Sequence, residues 1–241
     1  MRRVRNPRDG ALIVVGDVES DAVFRQAGAA LGGWTAPTGA DDDEPPPPPA
    51  LRADGTLRVI AIDKAGAPAA QLHFGCLLPP VHDEAGLVRD DLVAAMVEDH
   101  LWATLRAGAA VSYSQSTHAH HLRGGAAYLD GWIDVDVSAL PLALATMRAL
   151  ANRAAPPPFD GPTLERFRWV AARRSNLRYG DSDALAEALF DRWNMGWPVE
   201  ALDEYPARLA EVTLDDVTRT FAACRANAVL TVVAAGASSL R

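Results

Sequence analysis

The chain has 241 residues and a formal net charge of -8, from 31 acidic and 23 basic residues. This acidic balance argues against a nucleic-acid partner and, more weakly, against an anionic membrane surface. No apolar run reaches the roughly 18–20 residues of a transmembrane helix. The basic stretch at 1–10 leads into too short an apolar run for a secretory signal. We therefore expect no membrane segment, and the compartment, cytoplasm or periplasm, stays open.

The two cysteines, Cys76 and Cys224, are too few for a disulfide framework and lack the spacing of a metal-binding pair. Free cysteines are commonly buried as small apolar side chains. The sequence therefore favours two buried thiols, with a single bridge as the open alternative.

The first part of the chain contains one strand, one helix and a connector. The short apolar run at 11–18 predicts a buried strand. N-cap chemistry and a glycine pair bound a predicted helix over 20–31. The stretch 36–55 holds an acidic cluster and five consecutive prolines, so we expect a solvated connector there, within a single domain of 1–241.

The middle of the chain alternates strand pairs with a helix. Strands at 57–63 and 70–78 are joined by a turn-rich link that predicts a hairpin. Apolar residues near helical spacing predict a helix over 86–106. Strands at 111–119 and 125–136 then form a second predicted hairpin.

The last hundred residues are mostly helical. The predicted helices are 138–152, 162–179, 181–194, 199–210 and 213–223, and a final apolar run at 228–236 predicts a strand. Hairpins separated by helices indicate the α+β class, a mainly antiparallel sheet with helices packed on one face. No glycine-rich phosphate loop is present.

The most specific chemical feature is the turn between the helix 86–106 and the strand 111–119. Arg106 closes the helix and Tyr113 opens the strand, seven residues apart, with small residues between them. A guanidinium and a phenol that project from this turn would both donate hydrogen bonds to a carbonyl oxygen that becomes an oxyanion. The plainer alternative is that Arg106 complements the helix dipole and Tyr113 only packs in the strand.

Two other clusters carry weaker signals. His118, His120 and His121 could bind a metal, although a solvated hairpin is the more common use of such residues. The serines beside them lack the Gly-x-Ser-x-Gly elbow of a serine nucleophile.

Four stretches together resemble zinc metallopeptidases of the pitrilysin/insulinase family, which includes the mitochondrial processing peptidases. The opening NPRDGALIVVGDVESDAVFRQAGAALGGW resembles the passage between the two homologous halves of those proteins. LWATLRAGAAVSYSQ resembles their Leu-Arg-Glu-x-x-Gly-x-x-Tyr-Ser turn. GPTLERFRWVAARRSNLRYGDSDALAEAL and EVTLDDVTRTF resemble their later helices.

The resemblance implies the C-terminal, non-catalytic half, with a LuxS/metallopeptidase-like fold. The zinc half of the family carries His-x-x-Glu-His, in which the histidines bind zinc and the Glu activates water. This sequence has no such motif. The resemblance therefore implies no cofactor in this chain, zinc in a catalytic partner half, and a peptide substrate enclosed between the two. It assigns Arg106 and Tyr113 to the substrate carbonyl, although Ala107 stands where the family usually has Glu. The alternative is a catalytically inert homologue that binds peptide or supports assembly.

Overall fold

The computed structural model describes residue 7 and residues 10–35, 57–178 and 180–235. The connector expected at 36–55 lies outside these residues. The helices are α1 (Ser20–Leu31), α2 (Glu84–Leu101), α3 (Leu140–Ala151), α4 (Gly161–Arg178), α5 (Ser182–Met195), α6 (Ala201–Glu211) and α7 (Leu214–Arg225). The strands are β1 (Arg58–Asp63), β2 (Ala69–Leu78), β3 (Ser112–His121), β4 (Ala127–Asp136) and β5 (Val229–Ala234). A π-helix, Trp102–Gly108, extends α2, and a 3-10 turn, Val137–Ala139, precedes α3.

The five strands form one sheet in the order β1-β5-β2-β4-β3. Only the β1–β5 pair is parallel, and the other three pairs are antiparallel. The predicted hairpin of β3 and β4 is confirmed. The predicted hairpin of β1 and β2 is wrong, because β5 lies between them: Leu230 is the register partner of both Val59 and Phe74.

The core lies between one face of the sheet and the helices. Along β2, Leu72, Phe74 and Cys76 are buried and alternate with half-buried residues, as the period of two predicts. Leu92 of α2 and Phe221 of α7 belong to the same buried cluster. Each such side chain contributes about 1.5–3 kcal/mol by leaving water. The α+β class, with a mainly antiparallel sheet and helices on one face, is confirmed.

The expectation of two buried thiols is wrong, because Cys76 and Cys224 form a disulfide. The two residues are 148 positions apart in sequence, but their Cα atoms are 5.1 Å apart. Helix α7 packs against β2, and Cys76 faces that helix from the inner side of the sheet. The bridge therefore joins the centre of the sheet to the helix layer.

The strand predicted at 11–18 is not formed. Residues 11–15 have no regular structure, and Leu12 and Val14 are 59 % and 44 % exposed. The apolar composition suits a strand, but among the described residues no strand lies beside this segment. The helix predicted at 20–31 is confirmed, although its N-cap is Glu19, which makes no side-chain capping bond.

The helix starts near the C-terminus follow local chemistry. Thr213 accepts a hydrogen bond from the backbone of Asp216, and the Asp216 side chain accepts one from the backbone of Thr213. This reciprocal capping box satisfies two backbone donors that the helix itself cannot pair. The predicted start of α7 is confirmed on that basis.

Candidate functional site

The predicted Arg106–Tyr113 turn begins in the π-helix at 102–108. Leu105 is fully buried and fixes this segment on the core, while the side chain of Arg106 is exposed. The carbonyl of Arg106 accepts hydrogen bonds from the backbone of Ala109 and of Ala110, the latter at 3.1 Å. The helix therefore ends just after Arg106, as the sequence predicts, although its last turn is wider than an α-helical turn.

Small residues allow the chain to leave the helix here. A Cβ on Gly108 would lie 2.9 Å from the carbonyl oxygen of Ala103, which is too close for a side chain. Ala110 has φ of 54°, in the left-handed region that residues other than glycine rarely adopt. This turn therefore carries backbone strain at Ala110.

We expect Ala110→Gly to stabilise the chain by about 1 kcal/mol or less, because glycine adopts the left-handed conformation at no steric cost but loses more entropy on folding. The matched control is Ala109→Gly, at a neighbouring residue whose φ of -112° is negative and unstrained. That change should destabilise the chain. Urea unfolding of both variants measures the difference, and equal effects of the two substitutions would exclude strain at Ala110.

The strand that follows the turn begins with a β-bulge. Ser112 is opposite Val135 and Ser114 is opposite Asp134, so Tyr113 is an extra residue in the ladder. Bulges bend a strand and redirect its side chains, and they are frequent beside active sites. The two candidate residues thus lie on either side of a turn with a π-helix before it and a bulge after it.

A cleft of about 660 Å³ lies beside the edge strand β3. It is bounded by β3, α2, α4, α5 and α6, and it is lined by both apolar and charged side chains. Arg106 is not among the residues that line it. The cleft therefore gives no support for a role of Arg106, and the role of Arg106 and Tyr113 remains a prediction.

The cleft contains polar groups that sequence reasoning missed. Glu98 accepts a hydrogen bond from the backbone N–H of Thr117 at 3.0 Å, which covers one donor of the strand edge. Arg166 pairs with Asp99 at 2.7 Å, and both residues line the cleft. Within the described residues, the hydroxyl of Thr117 and the Nε of Arg192 are buried without a hydrogen-bond partner. These residues come from segments up to about 100 positions apart, so no sequence spacing indicates them.

The three histidines of the β3 strand make separate contacts. His118 bonds to Ser116 at 2.6 Å, and His120 bonds to Asp130 at 2.6 Å. His121 is on the opposite face, 3.3 Å from buried Asp90. Throughout 10–35, 57–178 and 180–235, no group of three His, Cys, Asp or Glu side chains is arranged to hold a metal ion. The described residues therefore do not fit a zinc site, and no helix among them is long and apolar enough to cross a membrane.

Comparison with solved structures places this α+β fold among peptidase domains. The periplasmic protease PqqL from Escherichia coli is 14 % identical, with a TM-score of 0.65; the match covers 91 % of this chain and 24 % of that chain. A protease from Helicobacter pylori is 14 % identical with a TM-score of 0.69, over 91 % and 54 % of the two chains. A peptidase M16 inactive domain from Pseudomonas fluorescens is 13 % identical with a TM-score of 0.68, over 91 % and 52 %.

These likenesses show the fold of the chain. This chain spans between about a quarter and about half the length of those three structures. No family model matches the sequence, and no curated protein matches it either.

Proposed function

We propose that this chain is the zinc-free half of a bipartite metallopeptidase. In this proposal it encloses a peptide substrate and directs Arg106 and Tyr113 to the scissile carbonyl, while a partner half supplies the metal and the general base. The observation that carries the proposal is the fold shared with a peptidase M16 inactive domain. The absence of His-x-x-Glu-His from the sequence agrees with it.

The chemistry of Arg106 suits this role. Its guanidinium presents several hydrogen-bond donors in a fixed planar fork. Such donors stabilise the negative charge that develops on a carbonyl oxygen in the transition state, and a preformed donor needs no reorganisation. The exposed position of Arg106 at the end of a helix leaves its side chain accessible to a substrate held by the partner.

A second candidate function is an inert homologue that binds peptide or supports assembly. The position of the cleft favours it, because about 660 Å³ of space lies beside the β3 edge and Arg106 is not in its lining. Ala107 also stands where the family that the sequence resembles usually has Glu. The two functions differ in one measurable way, since only the first requires Arg106 for turnover.

We also propose that the chain works in an oxidising compartment such as the periplasm. Disulfides persist there and are rare in the cytosol, and the Cys76–Cys224 bridge is part of this fold. The similar structure from Escherichia coli is described as periplasmic. Thiol labelling of protein taken from source cells without reductant should find no free cysteine; two labelled cysteines would place the chain in a reducing compartment.

Arg106→Ala should lower the turnover of the assembled enzyme on the order of 10²-fold, as the loss of one oxyanion donor does. Peptide cleavage by the chain together with its catalytic half measures this. Arg106→Lys keeps the charge but loses the planar fork, so an intermediate rate is expected. Arg123→Ala, at an exposed arginine in the β3–β4 hairpin, is the matched control and should leave turnover unchanged. Full turnover with Arg106→Ala would remove the catalytic role and leave the inert homologue.

A further inference from the structure

The cleft beside β3 has the size of a ligand site. Its volume of about 660 Å³ lies within the range of roughly 300–1,000 Å³ that is usual for ligand pockets. Helix α2, with the first residue of its π-helical extension, runs along the cleft from Asp91 to Trp102, a length of about 16 Å. An extended peptide covers that length with about four or five residues, at about 3.3–3.6 Å each.

Part of the cleft wall is apolar. Helix α2 contributes Leu92, and α4 contributes the half-buried side chains of Phe167 and Val170. Half-buried apolar groups in a concave surface leave water when another apolar group covers them, which favours binding. A ligand that fits this cleft therefore carries at least one apolar side chain.

The acidic residues of the cleft lining already accept hydrogen bonds. Glu98 accepts one from the backbone of β3 at 3.0 Å, and Asp99 accepts one from Arg166 at 2.7 Å. Asp91 accepts one from the hydroxyl of Tyr205 at 3.4 Å. These carboxylates therefore do not require a cationic ligand.

Several donors in the same wall have spare capacity. The Nε of Arg192 and the hydroxyl of Thr117 are buried and, within the described residues, have no hydrogen-bond partner. The other end of the Arg192 guanidinium donates to Glu84 at 2.5 Å. Arg174 of α4 adds an exposed guanidinium to the lining. A fitting ligand therefore supplies acceptors, and a carboxylate is a particularly strong acceptor for arginine.

We propose that the cleft binds the C-terminal end of a peptide whose last side chain is apolar. The terminal carboxylate bonds to Arg174, whose planar fork of donors matches a carboxylate. The apolar side chain packs against Phe167 and Val170. Arg174 follows these residues by seven and four positions, so the three side chains share one face of α4. One terminal residue of a peptide can therefore reach all three.

A peptide fits these groups better than a fatty acid, although both have a carboxylate and an apolar part. A fatty acid has a single polar group, whereas a peptide also carries a carbonyl oxygen in every residue. Those oxygens supply further acceptors along a cleft wall that includes the strand β3. The inference deepens the peptide binding of the proposed function and rests on it. Arg106 is outside the cleft lining, so this binding can be measured separately from turnover.

Isothermal titration calorimetry of the full chain tests the proposal. The probe is an N-acetylated pentapeptide, Ala-Ala-Ala-Ala-Leu, with a free carboxylate. The same peptide with a C-terminal amide should bind at least about tenfold more weakly, because it lacks the charged acceptor. Equal affinity for the two forms, or no binding of the free acid, would overturn the proposal. So would decanoate that binds as tightly as the free-acid peptide, because the ligand would then be a fatty acid.

Substitution of Arg174 tests the assigned contact. Arg174→Ala should bind the free acid and the amide about equally, and Arg174→Lys should retain part of the preference because it keeps a cation without the planar fork. The matched control is Arg173→Ala. Arg173 is also exposed on α4, but it lies over the ring of Trp169 at 5.5 Å and does not line the cleft, so this variant should keep the full preference.

The ratio of the two affinities identifies the contact, because a variant that only disturbs the fold weakens both peptides alike. A preference for the free acid that survives Arg174→Ala would contradict the assignment. A chain that needs Arg106 for turnover but shows no preference for the free acid would overturn this inference and leave the catalytic role. Preference for the free acid together with full turnover by Arg106→Ala would support this inference and remove that role.

Discussion

Reduction of the Cys76–Cys224 bridge is expected to lower the free energy of unfolding by about 3–5 kcal/mol. The bridge links residues 148 positions apart, so it removes much of the conformational freedom of the unfolded chain. The chain-entropy model gives about 5 kcal/mol for a loop of this length, and measured values are commonly lower. Both cysteines are buried between the sheet and α7, so the bridge lies within the packed core of the folded chain.

Guanidinium unfolding of the chain with and without reductant measures the loss. The control is the double variant Cys76→Ala/Cys224→Ala, on which reductant should have no effect, because the chain has only two cysteines. Equal unfolding midpoints for oxidised and reduced protein would contradict the expectation. They would mean that packing alone holds β2 against α7.

Much of the secondary structure can be predicted from local periodicity. The alternation in β2 and the capping residues of α7 are local signals, and both elements form as expected. The position of β5 between β1 and β2 is not local, because it joins strands more than 150 residues apart. Local signals therefore predict a hairpin of β1 and β2, which the structure does not form. The segment 11–15 also shows that local composition does not determine strand pairing. Its composition favours a strand, but a strand forms only where another strand pairs with it.

The candidate turn shows how far spacing can be used. The seven-residue separation of Arg106 and Tyr113 correctly indicates the end of a helix and the start of a strand. The π-helix and the bulge at Tyr113 depend on how Leu105 is buried and how β3 pairs with β4. Sequence periodicity therefore predicts neither the π-helix nor the bulge. The cleft beside β3 is likewise assembled from distant helices, so its residues could not be identified without the fold.

Arg192→Met is expected to destabilise the chain by about 3–5 kcal/mol at neutral pH, because it leaves a buried carboxylate without its cation. Arg192 of α5 and Glu84 of α2 are 108 positions apart and form an ion pair at 2.5 Å, with side chains only 6 % and 3 % exposed. The double variant Glu84→Leu/Arg192→Met should recover most of the loss, since apolar side chains often replace a buried ion pair without cost. An exposed arginine offers a control: Arg208→Met, which breaks contacts with Glu204 and Glu211, should destabilise the chain far less, because water screens exposed ion pairs.

The pH dependence identifies the cause of this loss. Burial raises the pKa of the Glu84 carboxyl above its ordinary value, and Arg192 offsets part of the increase. A carboxyl with a raised pKa in the folded state binds its proton more tightly there than in the unfolded chain. Its contribution to stability is therefore full below the ordinary pKa and is lost as the pH rises through the raised one. Without Arg192 the pKa rises further, so the deficit of Arg192→Met should shrink in acid and grow toward neutral pH. Urea unfolding across this range measures it, and a deficit independent of pH would mean that lost packing around Arg192, rather than the unpaired charge of Glu84, is the cause.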